Sequence, residues 1–318
     1  MDVKDALEKH DWLGEYWWNA VKADADEHTK EVDRDFSGGY FMRFLEGADM
    51  EFPLQSCLMM TEEGVQQKVH NIIIAEKGSN ARIISGCVTD PQVGEGAHLG
   101  ISEFYVKEGA TLNFTMIHNW AETIKVRPRS AAVVEAGGTF ISNYICLQPV
   151  ADLQMYPKAF CRGRGSKATF NNIIYSSKNS KINAGSLVDL QGEGSSGEIV
   201  SRVIALDSAE ITAPGKLIGS NTGVKAHMEC QGLLLSDGAV IHAIPELRTS
   251  YKDVDMSHEA AVGKIADKEI NYLMSRGLSR EEATSTIVRG FLDTDILGLP
   301  KDLKLEIDKI VDSMVGGL

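Results

Sequence analysis

Five cysteines, Cys57, Cys87, Cys146, Cys161 and Cys230, carry the softest metal-binding chemistry in this 318-residue chain. Their number is odd, their spacings are wide and no CxxC pair occurs. That argues against a disulfide framework or a zinc knuckle and fits a reducing cytosol. Nor does the pattern offer a ready-made four-cysteine cluster site, so a cluster bound here would have few protein ligands and be held loosely. Cys230 lies in Ala226-His227-Met228-Glu229-Cys230-Gln231-Gly232-Leu233-Leu234-Leu235. Beside a leucine run a cysteine reads first as a small buried hydrophobe. As a thiolate it would be a soft metal ligand. His258-Glu259 sets an imidazole next to a carboxylate. These are a borderline and a hard metal donor, and both exchange more readily than thiolate. The plain reading of the pair is an exposed couple near a strand-to-helix junction. Cys87 closes Ile84-Ser85-Gly86-Cys87 and reads by itself as a turn cysteine. His118 and Trp120, in His118-Asn119-Trp120, read as core residues.

Several chemistries are excluded. No Walker A loop, GxGxxG turn, HExxH helix or GxSxG elbow is present. Gly192–Gly197 is glycine-rich but lacks the Lys-Ser/Thr of a phosphate cradle, so no nucleotide is expected to bind this chain. With a formal net charge of −13, a phosphate-tracking surface is not expected, and neither is a nucleic-acid partner. No apolar run approaches the roughly 20 residues of a membrane helix. The N-terminus, MDVKDALEKHDW, shows no basic and apolar leader. A cytoplasmic location without a membrane is the expectation.

Three stretches must position these residues: 1–60, 61–250 and 251–318. The first is acidic and partly helical. A helix is expected from Val3 to about Lys9, and Trp12, Trp17 and Trp18 suggest a docked face. In the second, short β-rich runs such as Val69–Ala75, Leu112–Ile117, Phe140–Leu147, Thr169–Ser176 and Ile199–Leu206 alternate with small turn residues. Several turns fall roughly 28 to 32 residues apart, which suits a stacked repeat. Periodicity leaves a β-solenoid and an antiparallel sandwich both open. After Tyr251 the chain is expected to turn helical. Asp267 caps a helix bearing Ile270, Leu273 and Met274, and Gly277 ends it. Ser279 and Glu282 form a capping box for a helix bearing Ala283, Ile287, Val288 and Phe291. After Leu299-Pro300 a last helix carries Leu303, Ile307, Ile310, Val311 and Met314.

Ser257-His258-Glu259-Ala260-Ala261-Val262-Gly263-Lys264-Ile265, followed by Tyr272–Ser279, Ile287-Val288-Arg289-Gly290-Phe291 and Leu299-Pro300, resembles the C-terminal signature of the SufB/SufD family of SUF iron–sulfur cluster assembly scaffolds. Upstream, Val69–Gly86 with Cys87 is similar to the family's first solenoid turns. His118-Asn119-Trp120 resembles its Gln-Asn-Trp element, and Tyr156-Pro157 with Arg162-Gly163 follows in order. The likeness runs from about Val65 to Met314, while the first 60 residues match poorly.

The resemblance implies a mainly β fold: a right-handed parallel β-helix with a helical C-terminal segment. It implies a scaffold rather than an enzyme, carrying a nascent, transient iron–sulfur cluster. An ABC-type ATPase like SufC would dock on the helical end. The solenoids would form a homodimer, or a heterodimer with a SufD-like chain, and sulfur donors and cluster acceptors would be further partners. Cys230 matches the cysteine of the SufB branch associated with the nascent cluster. His258 and Glu259 match that branch's His-Glu pair, although Ser257 stands where a further Glu is common. Cys87 matches a sulfur-relay cysteine, and His118 and Trp120 could line a polar path from it to Cys230 through the solenoid. Cys57, Cys146 and Cys161 gain nothing from the likeness and are expected to be packing residues. Two alternatives remain: a SufD-like structural subunit without its own ligands, and a β-helix enzyme acting on polysaccharide.

Overall fold

A computed structural model describes residues 1–292, 304–305 and 309–310. The chain winds into a parallel β-solenoid of about 8 turns, followed by helices. One sheet contains eight strands. In stacking order these are Leu54–Met60, Asn80–Thr89, Thr111–Asn119, Thr139–Cys146, Lys167–Ser176, Ser196–Ala205, Val224–Leu234 and Val254–Lys264. Every neighbour pair is parallel, with Thr111 opposite Thr139, Thr139 opposite Lys167 and Lys167 opposite Ser196. These partners are 28 or 29 residues apart, and those of the first and last coils, such as Asn80 opposite Thr111 and Val224 opposite Val254, are up to 31 apart, so the turn spacing in the sequence is the length of one coil. The second sheet has eleven strands. In its middle coils it is broken near Pro128, Pro157 and Gly185, and proline has no N–H to give to a ladder.

Alternation sends every second side chain inward. The coils bury two apolar clusters between the sheets, one around Phe104, Phe114, Phe140 and Phe170, the other around Ile124, Leu153, Ile182 and Ile211. Turns such as Glu108-Gly109, Arg164-Gly165 and Glu193-Gly194 place glycine at positive φ. Close stacking sets a second demand: a Cβ on Gly192 would lie 1.9 Å from the Gly163 carbonyl oxygen.

Two helical elements cover outer faces. The expected helix Val3–Lys9 forms, capped by Asp2, and with Trp12, Trp17 and Trp18 it packs on the outer face of the eleven-stranded sheet. Glu103 holds this segment. It is fully buried, and it accepts hydrogen bonds from the backbone N–H groups of Trp18 (2.7 Å), Ala20 (2.5 Å) and Val21 (3.0 Å). His70 Nε2 meets the same carboxylate at 2.9 Å, and its ring stacks on Trp17 at 3.9 Å.

At the other end, helices Asp267–Ser275 and Arg280–Leu292 lie on the outer face of the eight-stranded sheet. There Val288 and Leu292 pack with Ile145, Ile173, Ile204 and Leu233. Gly277 has φ +100° at the end of the first helix. In the capping box, the Ser279 N–H donates to Glu282 and the Glu282 N–H to Ser279 Oγ.

Two expectations are corrected. The chain does not turn helical after Tyr251, because Val254–Lys264 is the last solenoid strand and the helices start at Asp267. Asp267 is the first helical residue rather than the cap, which is Ala266. The Leu299-Pro300 break and the helix expected over Leu303–Met314 lie outside the described residues, apart from 304–305 and 309–310.

Candidate functional site

Strand register arranges the chemistry into two inward rows. One runs Ser56, Ser85, Met116, Tyr144, Asn172, Ser201, Cys230, Ala260. The other runs Leu58, Cys87, His118, Cys146, Ile174, Val203, Gly232, Val262. The rows are two residues apart along each strand, so both face the interior.

Cys87 is not a turn residue: it sits within Asn80–Thr89 and is fully buried. Burial pushes its thiol far above the usual range, helped by the neighbouring Cys57. Cys230 is 3% exposed, and burial together with the charge of Glu229 raises its thiol. Five strand steps separate the two cysteines, about 24 Å at roughly 4.8 Å per step.

The space between them is polar in part. Cys87 Sγ lies 3.5 Å from Met116 Sδ. His118 Nδ1 lies 2.9 Å from the Tyr144 hydroxyl. The Asn172 amide donates to Ser201 Oγ at 3.2 Å and to Ser186 Oγ at 3.3 Å, and Ser201 is opposite Cys230. An internal cavity of about 60 Å³ is lined by His98, Ser102, Met116, His118, Tyr144 and Asn172. His98 packs against Trp120 at 4.8 Å, and the buried Trp120 indole N–H has no hydrogen-bond partner among the described residues. Burial pushes His98 down to about 4, and it holds His118 well below the usual imidazole range. Both rings are therefore neutral at pH 7. They offer a lone pair and an N–H to the interior without adding charge.

The expected strand-to-helix junction at His258 is corrected. His258 and Glu259 lie in the middle of Val254–Lys264, the final strand of its sheet. His258 is opposite Met228, a core residue, and so shares the inner face with Cys230, one strand and two residues away. Glu259 is opposite Glu229 and therefore faces outward, where Glu229 pairs with Arg202 at 3.5 Å. His227 also faces outward, 2.9 Å from Ser257 Oγ. One chain thus brings Cys230 and His258 together and sets Glu259 on the opposite face. Among the described residues, no group of three His, Cys, Asp or Glu side chains is close enough to hold a metal ion.

Comparison with known proteins settles the family. The family described as SUF system FeS cluster assembly, SufBD core domain, matches residues 58–291. The chain belongs to the SufBD family of iron–sulfur cluster assembly proteins. It is 47% identical over 323 residues to the iron-sulfur cluster assembly SufBD family protein of Methanothermobacter thermautotrophicus, covering 100% of this chain and 78% of the relative. To the protein of the same description in Archaeoglobus fulgidus it is 50% identical over 312 residues, covering 98% and 84%. To the iron-sulfur cluster assembly protein SufB of Bacillus subtilis it is 26% identical over 314 residues, covering 98% and 67%.

In this SufBD chain, Cys146 and Cys161 are core residues, but Cys57 is exposed, which corrects its reading as a packing residue. Sequence reasoning missed His98, Tyr144, Asn172 and Ser201. A repeat of 28 or 29 residues, counted from Cys230 back through Ser201, Asn172 and Tyr144, would have found three of them. Among the described residues no helix is long and apolar enough to cross a membrane.

Proposed function

We propose that this chain is a SufB-like scaffold in the cytoplasm on which a nascent iron–sulfur cluster is built as cargo. Cys230 and His258 are its first iron ligands. The observation that carries this reading is their shared inner face at the open end of the solenoid, reached from Cys87 by the polar row through His118, Tyr144, Asn172 and Ser201. Cys87, opposite His118 and packed in one cluster with Trp120, is the sulfur-relay residue: its thiolate takes the outer sulfur from a donor protein's persulfide and releases the donor's thiolate. Binding iron requires loss of the Cys230 proton, and the metal's own charge drives that loss.

Glu259 joins from the outer face when the last strand moves, since among the described residues that strand has a single neighbour in its sheet. The ligand set is mixed and incomplete, which suits a protein that must release what it builds. A SufC-like ATPase supplies the nucleotide chemistry and docks on the helical end, where Tyr272 is 64% and Met274 40% exposed. Two solenoids, two copies or this chain with a SufD-like one, meet through their open ends.

Anaerobic loading of the purified chain with ferrous iron and sulfide, followed by visible absorption, tests the site. Cys230→Ser is expected to abolish most of the cluster absorption and His258→Ala to weaken it. Undiminished uptake in Cys230→Ser would assign the chain the SufD-like role instead.

A further inference from the structure

A cleft of about 450 Å³ lies between the N-terminal segment and the outer face of the eleven-stranded sheet. Its lining holds four cations, Lys22, Arg129, Lys158 and Arg162, against one carboxylate, Asp26. Asp26 is already used: it accepts from the Arg129 guanidinium at 2.5 Å and caps the helix Glu27–Arg34 through the Thr29 N–H. That leaves Lys22, Lys158 and Arg162, which make no ion pair among the described residues.

Some cations elsewhere are paired across coils: Lys77 meets Glu108, Lys107 meets Glu135 and Lys216 meets Glu246. Others, such as Lys167 and Lys225, also make no ion pair among the described residues; this cleft differs in gathering three such cations, two lysines and an arginine, in one concavity. Neutral donors stand beside them, the Asn183 and Gln154 amides and the Tyr156 hydroxyl. Phe160 forms an apolar floor, with the Arg162 guanidinium 6.0 Å above its ring.

We propose that this cleft is a binding site for a compact polyanion, a small molecule bearing several carboxylates or phosphoryl groups. Convergent cations and amide donors match oxyanion geometry, and the guanidinium adds bidentate recognition. The strongly acidic remainder of the molecule repels an acidic macromolecule but leaves room for a small ligand in the cleft.

The test is calorimetric titration of the full chain at low ionic strength, with citrate and pyrophosphate as separate probes. One saturable site per chain is expected for at least one probe, and which of the two binds tells carboxylate from phosphoryl chemistry. The exposed double variant Lys158→Ala/Arg162→Ala is expected to weaken that binding at least tenfold. Lys167→Ala/Lys225→Ala removes the same charge from the other sheet's outer face and is expected to leave it unchanged. No saturable binding of either probe, or equal loss in both double variants, would overturn the proposal. Cluster loading is not part of the readout, so this result is independent of the Cys230 test.

Discussion

Glu103 gathers three backbone N–H groups, a tyrosine hydroxyl and an imidazole around one buried carboxylate. Truncation would leave the Trp18 and Val21 N–H groups without a partner, while the Tyr105 hydroxyl keeps the Tyr16 carbonyl and the Ala20 N–H keeps the Tyr105 hydroxyl. Glu103→Ala is expected to cost about 2–5 kcal/mol, at roughly 1–3 kcal/mol for each donor left unsatisfied; burial keeps His70 below the usual imidazole range, so no bare charge is left behind. The denaturation midpoint measures the loss, and a red shift of Trp17 and Trp18 fluorescence reports release of the N-terminal segment. An unchanged midpoint would show that the N–H groups find water instead. At Cys230 the sign of the pH effect follows from its raised thiol. The protonated form dominates at neutral pH, and iron must displace the proton. Iron affinity in a chelator-buffered titration is therefore expected to rise between about pH 7 and pH 9, with a flat profile in Cys230→Ser. At this scale the sequence showed which residues own sulfur and imidazole. It could not show that Glu103 organises the tryptophans, because a lone glutamate in Ile101-Ser102-Glu103-Phe104 looks like a solvated strand position.

The elements were legible in proportion to how local their causes are. β-branched runs between small turns gave the strands, and the interval between turns gave the coil. Serine and glutamate three apart gave the capping box. The last strand was misread because Glu259-Ala260-Ala261 and Lys264 favour a helix locally, whereas pairing along Val224–Leu234 overrides that preference. The consequence is chemical: once the segment is a strand, adjacent His258 and Glu259 must face opposite sides. The helical pair has its own test. Ile204 is fully buried in the outer-face cluster under Val288 and Leu292. Ile204→Ala is expected to cost about 2–5 kcal/mol. It should also raise amide exchange in Asp267–Leu292 before exchange rises in the solenoid strands. Equal loss of protection everywhere would mean that the helices and coils unfold as one unit.

The N-terminal helices pack on the outer face of the first coils. At both ends of the solenoid the terminal strands have a single neighbour in their sheet among the described residues: Phe41–Phe44 and Leu54–Met60 at one end, Val240–Thr249 and Val254–Lys264 at the other. Unpaired edges invite further strands unless they are blunted by charge or cover. Here Ile244 is 52% and Val262 43% exposed, with Leu247 and Val240 beside them. Leu247 is opposite Leu217 and Val262 opposite Gly232, so part of this surface is the solenoid interior left open rather than an outer wall. A second solenoid meeting this end would continue the core and pair the edges. It would also bring a second Cys230 and His258 toward the first, supplying ligands that one chain lacks. Leu247→Lys/Val262→Lys is then expected to weaken self-association by roughly a hundredfold, about 3 kcal/mol. Light scattering at micromolar concentration should give twice the chain mass for the wild type and the single mass for the variant. Cluster absorption per chain should fall in the same variant, since the pair and the ligand set are lost together. A wild type of single mass that still loads a cluster would separate assembly from dimerisation and leave Cys230 and His258 as ligands within one chain.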